Sequence, residues 1–370
     1  MASNLYNSIK NILPKFAFEG KYKEVHEQTS GNINNTYRLT YEQDGQMYHY
    51  ILQHINNYVF KDPKAVMENI ERVTSFLHDA LVSNGVDPNR RVLELVPTKA
   101  GGSLYIDPKG GFWRAYIFIT NASAYDAPQK PIHVFETGRA FGEFQKLLSD
   151  FPAAELHETI PNFHNTTRRF YTFVAAVAED KAGRVKQVED EIEFMFEHRK
   201  LMNGIVSRLE SGELPTRVTH NDTKINNVMI DNDTDKAICV IDLDTVMPGS
   251  ALYDYGDAIR FCANTAAEDE PDISKISLDM DKFRQFTEGF LSEVKGFLPD
   301  EEIRLLPMGA LVMTGELAMR FLTDYIDGDL YFKVNSPDHN LVRTRAQMAL
   351  LRDMEAKYDE MCRVVESFLQ

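Results

Sequence analysis

The apolar positions change period once along the chain, near residue 120. Before that point alternation dominates. Tyr37, Leu39 and Tyr41 alternate with polar residues, Asp44-Gly45 turns the chain, and Tyr48, Tyr50 and Leu52 alternate again, which predicts a β-hairpin. Stretches 92–97, 103–107 and 112–120 read as further strands, and a short helix over 4–13 stopped by Pro14 precedes them all. One longer helix is predicted over 63–83, opened by Pro63 and striped with Val66, Ile70, Val73, Phe76 and Leu77. After residue 121 the period becomes helical. Phe135, Ala140, Phe144, Leu147 and Leu148 mark a helix over 131–151. Val185, Val188, Ile192, Met195, Met202, Ile205 and Leu209 predict one long amphipathic helix over 184–210, ended by Gly212. Helices also follow from about Tyr253 and over 281–297, 301–327 and 341–369, the last so charged that it reads as a solvated outer helix. The Met and Phe stripes are core positions without further function.

Between these helices, residues 217–257 break the pattern. Two apolar β-type runs, 227–230 and 237–241, flank the turn-rich 231–236, and a hairpin is the economical reading. Its ends carry His220, Asp222, Lys224 and Asn227 on one side, Asp242 and Asp244 on the other. Folding the hairpin brings carboxylates and an amide oxygen together, a hard-oxygen set suited to Mg²⁺ with Asn227, Asp242 and Asp244 as ligands. The order H-x-D-x-K-x-x-N, apolar hairpin, Asp is the catalytic-loop arrangement of kinases. There the first Asp (Asp222) takes the acceptor hydroxyl's proton, Lys224 meets the moving phosphate, and Asn227 with Asp242 holds metal. A surface hairpin with acidic turns is the competing reading. The match of five residues and both apolar runs favours the kinase. Further on, Asp254 and Asp257 share a helical face, and Asp254 reads as an anchor for the catalytic loop rather than a ligand. Strands, one helix and more strands before residue 120 have the make-up of a kinase's small lobe. Phe118 and Ile119 then stand at the hinge where adenine meets backbone. The small and polar residues 30–36, with Gly31 and Asn32, could form a phosphate-covering turn or an ordinary β-turn.

Composition narrows the partners. At 370 residues, with 43% apolar and 26% charged positions, the chain is long enough for two domains. A net charge of −16 argues against nucleic acid or an anionic membrane as the main partner. It does not argue against ATP, because a local basic pocket outweighs screened distant charge. No apolar run is long enough to cross a bilayer, and residues 1–16 lack the apolar core of a signal peptide. Cys239, Cys262 and Cys362 form no paired motif, so a reducing cytoplasm is expected.

The H-x-D-x-x-x-x-N…D core resembles the aminoglycoside phosphotransferase and choline kinase superfamily. Within it, FAFEG at 16–20, INNTY at 33–37, GRAFGEFQ at 138–145, THNDTKINN at 219–227, IDLDTVMPGS at 241–250, DYGDAIRF at 254–261 and MRFLTDYIDGDLYF at 319–332 resemble the branch of N-acetylhexosamine 1-kinases. The resemblance implies a two-lobed, protein-kinase-like α+β fold. Residues 1–120 would form a small antiparallel β-lobe with one main helix, and 121–370 a larger, mainly helical lobe carrying the catalytic hairpin. It implies ATP as co-substrate, Mg²⁺, and phosphorylation of the anomeric hydroxyl of GlcNAc or GalNAc. It also implies an acceptor site of Asn34, Asn35, Asp222, Phe261, Arg320 and Tyr331. The chain departs from the pattern at Asn32, where that branch has His. Gln53 stands where the wider superfamily places a strand lysine, leaving Glu71 on the helix without a Lys partner. His54 beside it could serve phosphate, or could be an ordinary strand histidine. Two alternatives stay open. One is a kinase of another small hydroxyl acceptor: an aminoglycoside, choline, ethanolamine or homoserine. The other is a pseudokinase-like binding protein, favoured by Gln53 and opposed by intact Asp222, Asn227 and Asp242. Small molecules, not nucleic acid or membrane, are the expected partners; the oligomeric state is not legible.

Overall fold

The computed structural model describes residues 2–28 and 33–370; Gly31 and Asn32 lie outside the described residues. After helix α1 (Ala2–Ile9), strands β1 (Lys21–Gln28), β2 (Asn35–Gln43) and β3 (Gln46–Ile55) form an antiparallel run, completed after helix α2 (Pro63–Ser83) by β4 (Tyr105–Ile106) and β5 (Phe112–Ile117). The sheet order is β1-β2-β3-β5-β4. The β2–β3 turn is the predicted Asp44-Gly45, both at positive φ (53° and 82°), the conformation a two-residue hairpin turn requires. One sheet face packs Leu39, Tyr50, Leu52 and Trp113 over Ile9 and Phe16. Residues 92–97 make only an isolated bridge (Leu95 with Tyr116) rather than the predicted strand, since Pro97 has no N–H with which to continue the ladder.

Helix α2 spans the predicted residues, with Pro63 at its start and the Asp62 side chain accepting from the Lys64 and Ala65 amides. Its apolar stripe, Val66, Ile70, Val73 and Leu77, packs in one cluster with Tyr116 of the sheet and with Leu243 and Val246 beyond the hairpin. The helix therefore joins the β-sheet to the segment that carries Asp242.

The remainder is mainly helical: β6 (Ala122–Ser123), α3 (Pro131–Leu147), α4 (Thr166–Glu179), α5 (Glu189–Glu197), α6 (Arg199–Met202), α7 (Gly204–Ser211), β7 (Arg217–Thr219), β8 (Val228–Asp231), β9 (Ala237–Val240), β10 (Met247–Gly249), α8 (Ala251–Cys262), α9 (Met280–Val294), α10 (Asp300–Arg304), α11 (Leu306–Asp327), α12 (His339–Ala356) and α13 (Tyr358–Ser367). This is the expected two-lobed, kinase-like α+β architecture, with the hairpin β8–β9 inside the helical part. Further sequence expectations need correcting: the helices expected over 301–327 and 341–369 are each two, α10 with α11 and α12 with α13. The single helix over 184–210 is a 3-10 turn (Val185–Gln187) and three helices, α5 to α7, with breaks at His198 and Asn203, the second beside the Met202 carbonyl that accepts from the Thr166 hydroxyl. The charge-rich C-terminal stretch is no outer helix. In α12, Leu341, Ala346, Leu350, Leu351 and Met354 are buried in the main core, where apolar positions on several faces find partners.

Helices α3 and α9 cross at glycines: a Cβ on Gly138 would meet the Phe286 carbonyl, and one on Gly289 the Phe135 carbonyl. That close crossing leaves Glu136 and Arg139 of α3 at the hairpin. Glu136 accepts from the Ala237 amide at 2.8 Å, and Arg139 donates to the Ala237 carbonyl at 2.6 Å. Among the described residues, no helix is long and apolar enough to cross a membrane.

Candidate active site

Strand β7 pairs with β10, so the chain enters and leaves the hairpin region side by side. The catalytic loop, 220–227, is then held from below by α8. Asp254, at the buried first turn, accepts from the His220 amide (2.9 Å), the Asn221 amide (2.8 Å) and the Gln145 side chain (2.6 Å). It is the loop anchor that the sequence indicated. Asp257 accepts from the Thr223 amide at 3.1 Å and from Arg260 at 2.8 Å. His220 reaches across to the Ile241 carbonyl (2.9 Å), and the Thr245 hydroxyl returns to the His220 carbonyl (2.8 Å), tying both ends of the hairpin together. Burial raises the Asp254 carboxyl above the usual aspartate range, against the pull of His220 and of its donors. Asp254→Ala would leave buried loop N–H groups without an acceptor, at about 1–3 kcal/mol each. We expect a stability loss of about 3 kcal/mol or more in urea unfolding, with a fall in turnover; wild-type stability would refute the anchoring role.

Asp222 sits at the centre of the loop. Burial raises its carboxyl, but the Lys224 ammonium at 2.8 Å, His220, and the Asn227 amide at 3.1 Å hold it below the ordinary aspartate value. Lys224 is held protonated by the same pair against the effect of burial. Its ammonium lies 5.3 Å from the centre of the Phe261 ring, which places Phe261 beside the catalytic pair. Asn227 directs its amide nitrogen at Asp222, on both the carbonyl (2.8 Å) and the carboxylate. That leaves its Oδ1 as the side-chain oxygen able to ligate a metal, and Asn227 lines with Asp242 a cleft of about 390 Å³. Asp242 stands at φ 62°, the left-handed region, with its carboxyl raised to about 6 by burial and by Asp244 and Asp222. Its side chain is nonetheless open to cleft water, so the walls around it desolvate it less than their closeness implies.

An amide oxygen and a carboxylate at the mouth of one cleft fit Mg²⁺, which binds through one or two carboxylates plus substrate phosphates rather than in an all-protein cage.

The remaining predicted residues divide. Phe118, Ile119 and Gln53 line the cleft. His54 does not. As the neighbour of Gln53 on β3 it projects from the opposite sheet face, its ring 4.6 Å from that of Trp113, so it is a packed strand histidine and not a phosphate ligand. Asp244 also needs correcting. It is buried, with one carboxylate oxygen on Arg114 and the other accepting from Asn34 at 2.6 Å, so it is not presented to a metal. Asn34 is committed to the protein at both ends, accepting from the Asn56 amide at 3.0 Å, and acts as a strut rather than an acceptor contact. Asn35 opens β2 on its exposed side.

Arg320 and Tyr331 do come together, the guanidinium 5.8 Å from the Tyr331 ring, 5.1 Å from Phe163 and 5.5 Å from Phe332. Arg320 also pairs with Glu316 (3.4 Å), Glu316 with His164 (3.0 Å), and His164 with the Asn221 carbonyl (3.3 Å). The aromatic arginine is thus linked to the residue before Asp222. Sequence reasoning missed Arg114, Arg169, His164 and Glu316. Only the hairpin-flanking motif gave a local signal, and these four come from a distant strand (Arg114), two helices (Arg169, Glu316) and a turn (His164).

A family model described as "Phosphotransferase enzyme family" matches residues 24–284. Solved structures similar in fold include an aminoglycoside phosphotransferase from Alicyclobacillus acidocaldarius (13% identity, 97% of this chain and 96% of that one, TM-score 0.59). A choline kinase from Cryptosporidium parvum aligns at 15% identity over 94% and 93% of the chains (TM-score 0.55). A spectinomycin phosphotransferase in complex with ADP and spectinomycin aligns at 14% identity over 100% and 98% (TM-score 0.53). At these identities they share the fold with this chain. The match over most of the chain's length identifies it as a member of the phosphotransferase enzyme family.

Proposed function

We propose that this phosphotransferase transfers the γ-phosphoryl group of ATP to the anomeric hydroxyl of an N-acetylhexosamine, GlcNAc or GalNAc. The observation that carries the reading is the charge of the acceptor side. Arg320 and Arg169 both stand at the Phe163 ring (5.1 and 6.0 Å), and Arg169 is pushed down to about 10 by burial and then by Arg320. The carboxylate beside them, Glu316, is fully buried and already paired with His164 and Arg320. A choline, ethanolamine or aminoglycoside cation calls for aromatic faces or carboxylates free of guanidinium. Two guanidiniums among Phe163, Tyr331 and Phe332 suit a neutral, oxygen-rich ring instead.

In this reading the sugar lies against Phe261, Arg320, Tyr331 and Asn35, with its O1 at Asp222. Asp222 orients the hydroxyl and takes its proton as the oxygen bonds to the γ-phosphorus; the bond to the β-phosphate oxygen breaks and ADP leaves. Lys224 offsets charge on the moving group. Asn227 and Asp242 would hold Mg²⁺, which would supply positive charge against the nucleotide phosphates. The transfer is direct, from ATP to the sugar oxygen that Asp222 orients.

An acceptor panel scored by ATP consumption, with phosphorus NMR of the product before and after mild acid, tests the proposal. The expected product is an acid-labile glycosyl 1-phosphate from GlcNAc or GalNAc, with plain glucose and galactose poorer. Arg320→Ala should raise the sugar KM about tenfold or more and leave the ATP KM nearly unchanged. An acid-stable product, or turnover of choline or an aminoglycoside but of neither sugar, would sink the sugar assignment and leave the family membership standing.

A further inference from the structure

A nucleotide brings several negative charges into the cleft, yet Gln53 stands where a strand lysine would meet them. Among the described residues lining the cleft, the charged side chains are Asp126, Asp242 and Arg114. Arg114 is thus the one cation among those lining residues, while the Arg38 guanidinium lies 4.7 Å from the ring of cleft-lining Phe118. It belongs to β5, and the β3–β5 register sets it directly opposite Gln53, so both side chains leave the same face of the sheet. Its side chain is held at three points. Nε donates to the Gln53 Oε1 at 2.9 Å, Nη1 meets the Asp244 carboxylate, and the guanidinium lies 5.3 Å from the Tyr116 ring. Gln53 in turn donates to the Thr36 hydroxyl at 3.0 Å, and Asp244 accepts from Asn34 at 2.6 Å. The head group is therefore fixed at the cleft wall before any ligand arrives, with only 1% of the residue exposed. Glu71 of α2, the carboxylate that a strand lysine would have paired, accepts instead from the Ser103 hydroxyl.

We infer that Arg114 is the phosphate-binding cation of this cleft, moved one strand over from the lysine position, with Asp244 as its counter-ion. The inference rests on the kinase reading of the site. A guanidinium suits the task. It stays charged when buried, and its forked donors can face a carboxylate on one edge and phosphate oxygens on another. Asp244 then has a reason to be acidic without touching metal: it neutralises and aims Arg114 while the cleft is empty. Gln53 has a reason to be uncharged, because a lysine there would stand against Arg114.

The test is calorimetric binding of ADP with Mg²⁺, and of adenosine, to the full chain. Arg114→Gln alone would strand Asp244 as a buried charge, so the variant is the neutral pair Arg114→Gln/Asp244→Asn, its fold checked by thermal melting. ADP affinity should fall about tenfold or more, the scale of a lost charge-assisted contact. Adenosine, which has no phosphate, should bind as to wild type. Adding Gln53→Lys to the pair should recover much of the ADP affinity, by returning the cation to β3. Unchanged ADP affinity would overturn the inference, as would equal losses for ADP and adenosine, which mark a merely structural role. A wild-type protein that bound no ADP would instead overturn the kinase reading beneath it.

Discussion

Asp222→Asn is expected to leave a folded protein that binds nucleotide normally and turns over at least about 100-fold more slowly, the lower end for losing a general base. The substitution keeps the shape of the side chain, while its single amide oxygen can accept from only one of the two donors, Lys224 and Asn227, that the carboxylate serves. What it removes is the anion. In the native site Lys224 and Asn227 hold that carboxyl below the ordinary aspartate range, so it is ionised throughout the neutral region. An anion held so low is a weak base in water, and its contribution is to aim the acceptor oxygen and collect a proton released late in the transfer. Single-turnover kinetics with pre-bound ATP isolate that step. Near-native turnover would remove Asp222 from the centre of the mechanism.

Asp242→Asn is expected to weaken Mg²⁺-dependent ATP binding by about 100-fold or more, since a ligand's loss exceeds the 10–100-fold cost typical of its supporting contacts. The same change should slightly stabilise the metal-free protein at neutral pH. Its carboxyl is raised to about 6 in the fold, by burial and then by Asp244 and Asp222. A raised value means the folded state binds the proton more tightly than the unfolded chain. The stability from that proton is fully present below about pH 4, the unfolded value, and is lost as pH rises through about 6. Above that, the ionised side chain is a liability on the order of 1 kcal/mol, discounted because cleft water screens it. Urea unfolding in a chelator should therefore show the variant gaining on wild type between pH 4 and 7. A constant difference across that range, or intact Mg²⁺-dependent ATP binding, would contradict the assignment.

The sequence by itself determined the parts whose information is local. Alternation and Asp44-Gly45 specified the β2–β3 hairpin, because period and turn conformation are properties of adjacent residues. Pro63 and its stripe specified α2 to the residue. Asp222, Lys224, Asn227 and Asp242 were legible because a hairpin of predictable register separates them, and Asp254 because it follows the hairpin at once. The tertiary structure decided whatever depends on which side chains meet across long separations. Asp244 looked like a ligand from its spacing, but Arg114, 130 positions earlier, takes its carboxylate. Asn34 looked like a sugar contact, but Asp244 and Asn56 take both its ends. His54 looked available, but strand alternation turned it to Trp113 once Gln53 faced the cleft. Helix α12 looked solvated from its charges, yet α11 and the core bury its apolar positions. In each case a buried polar or apolar group finds the partner that satisfies it, and that partner is set by the packing of whole elements, which no local pattern encodes.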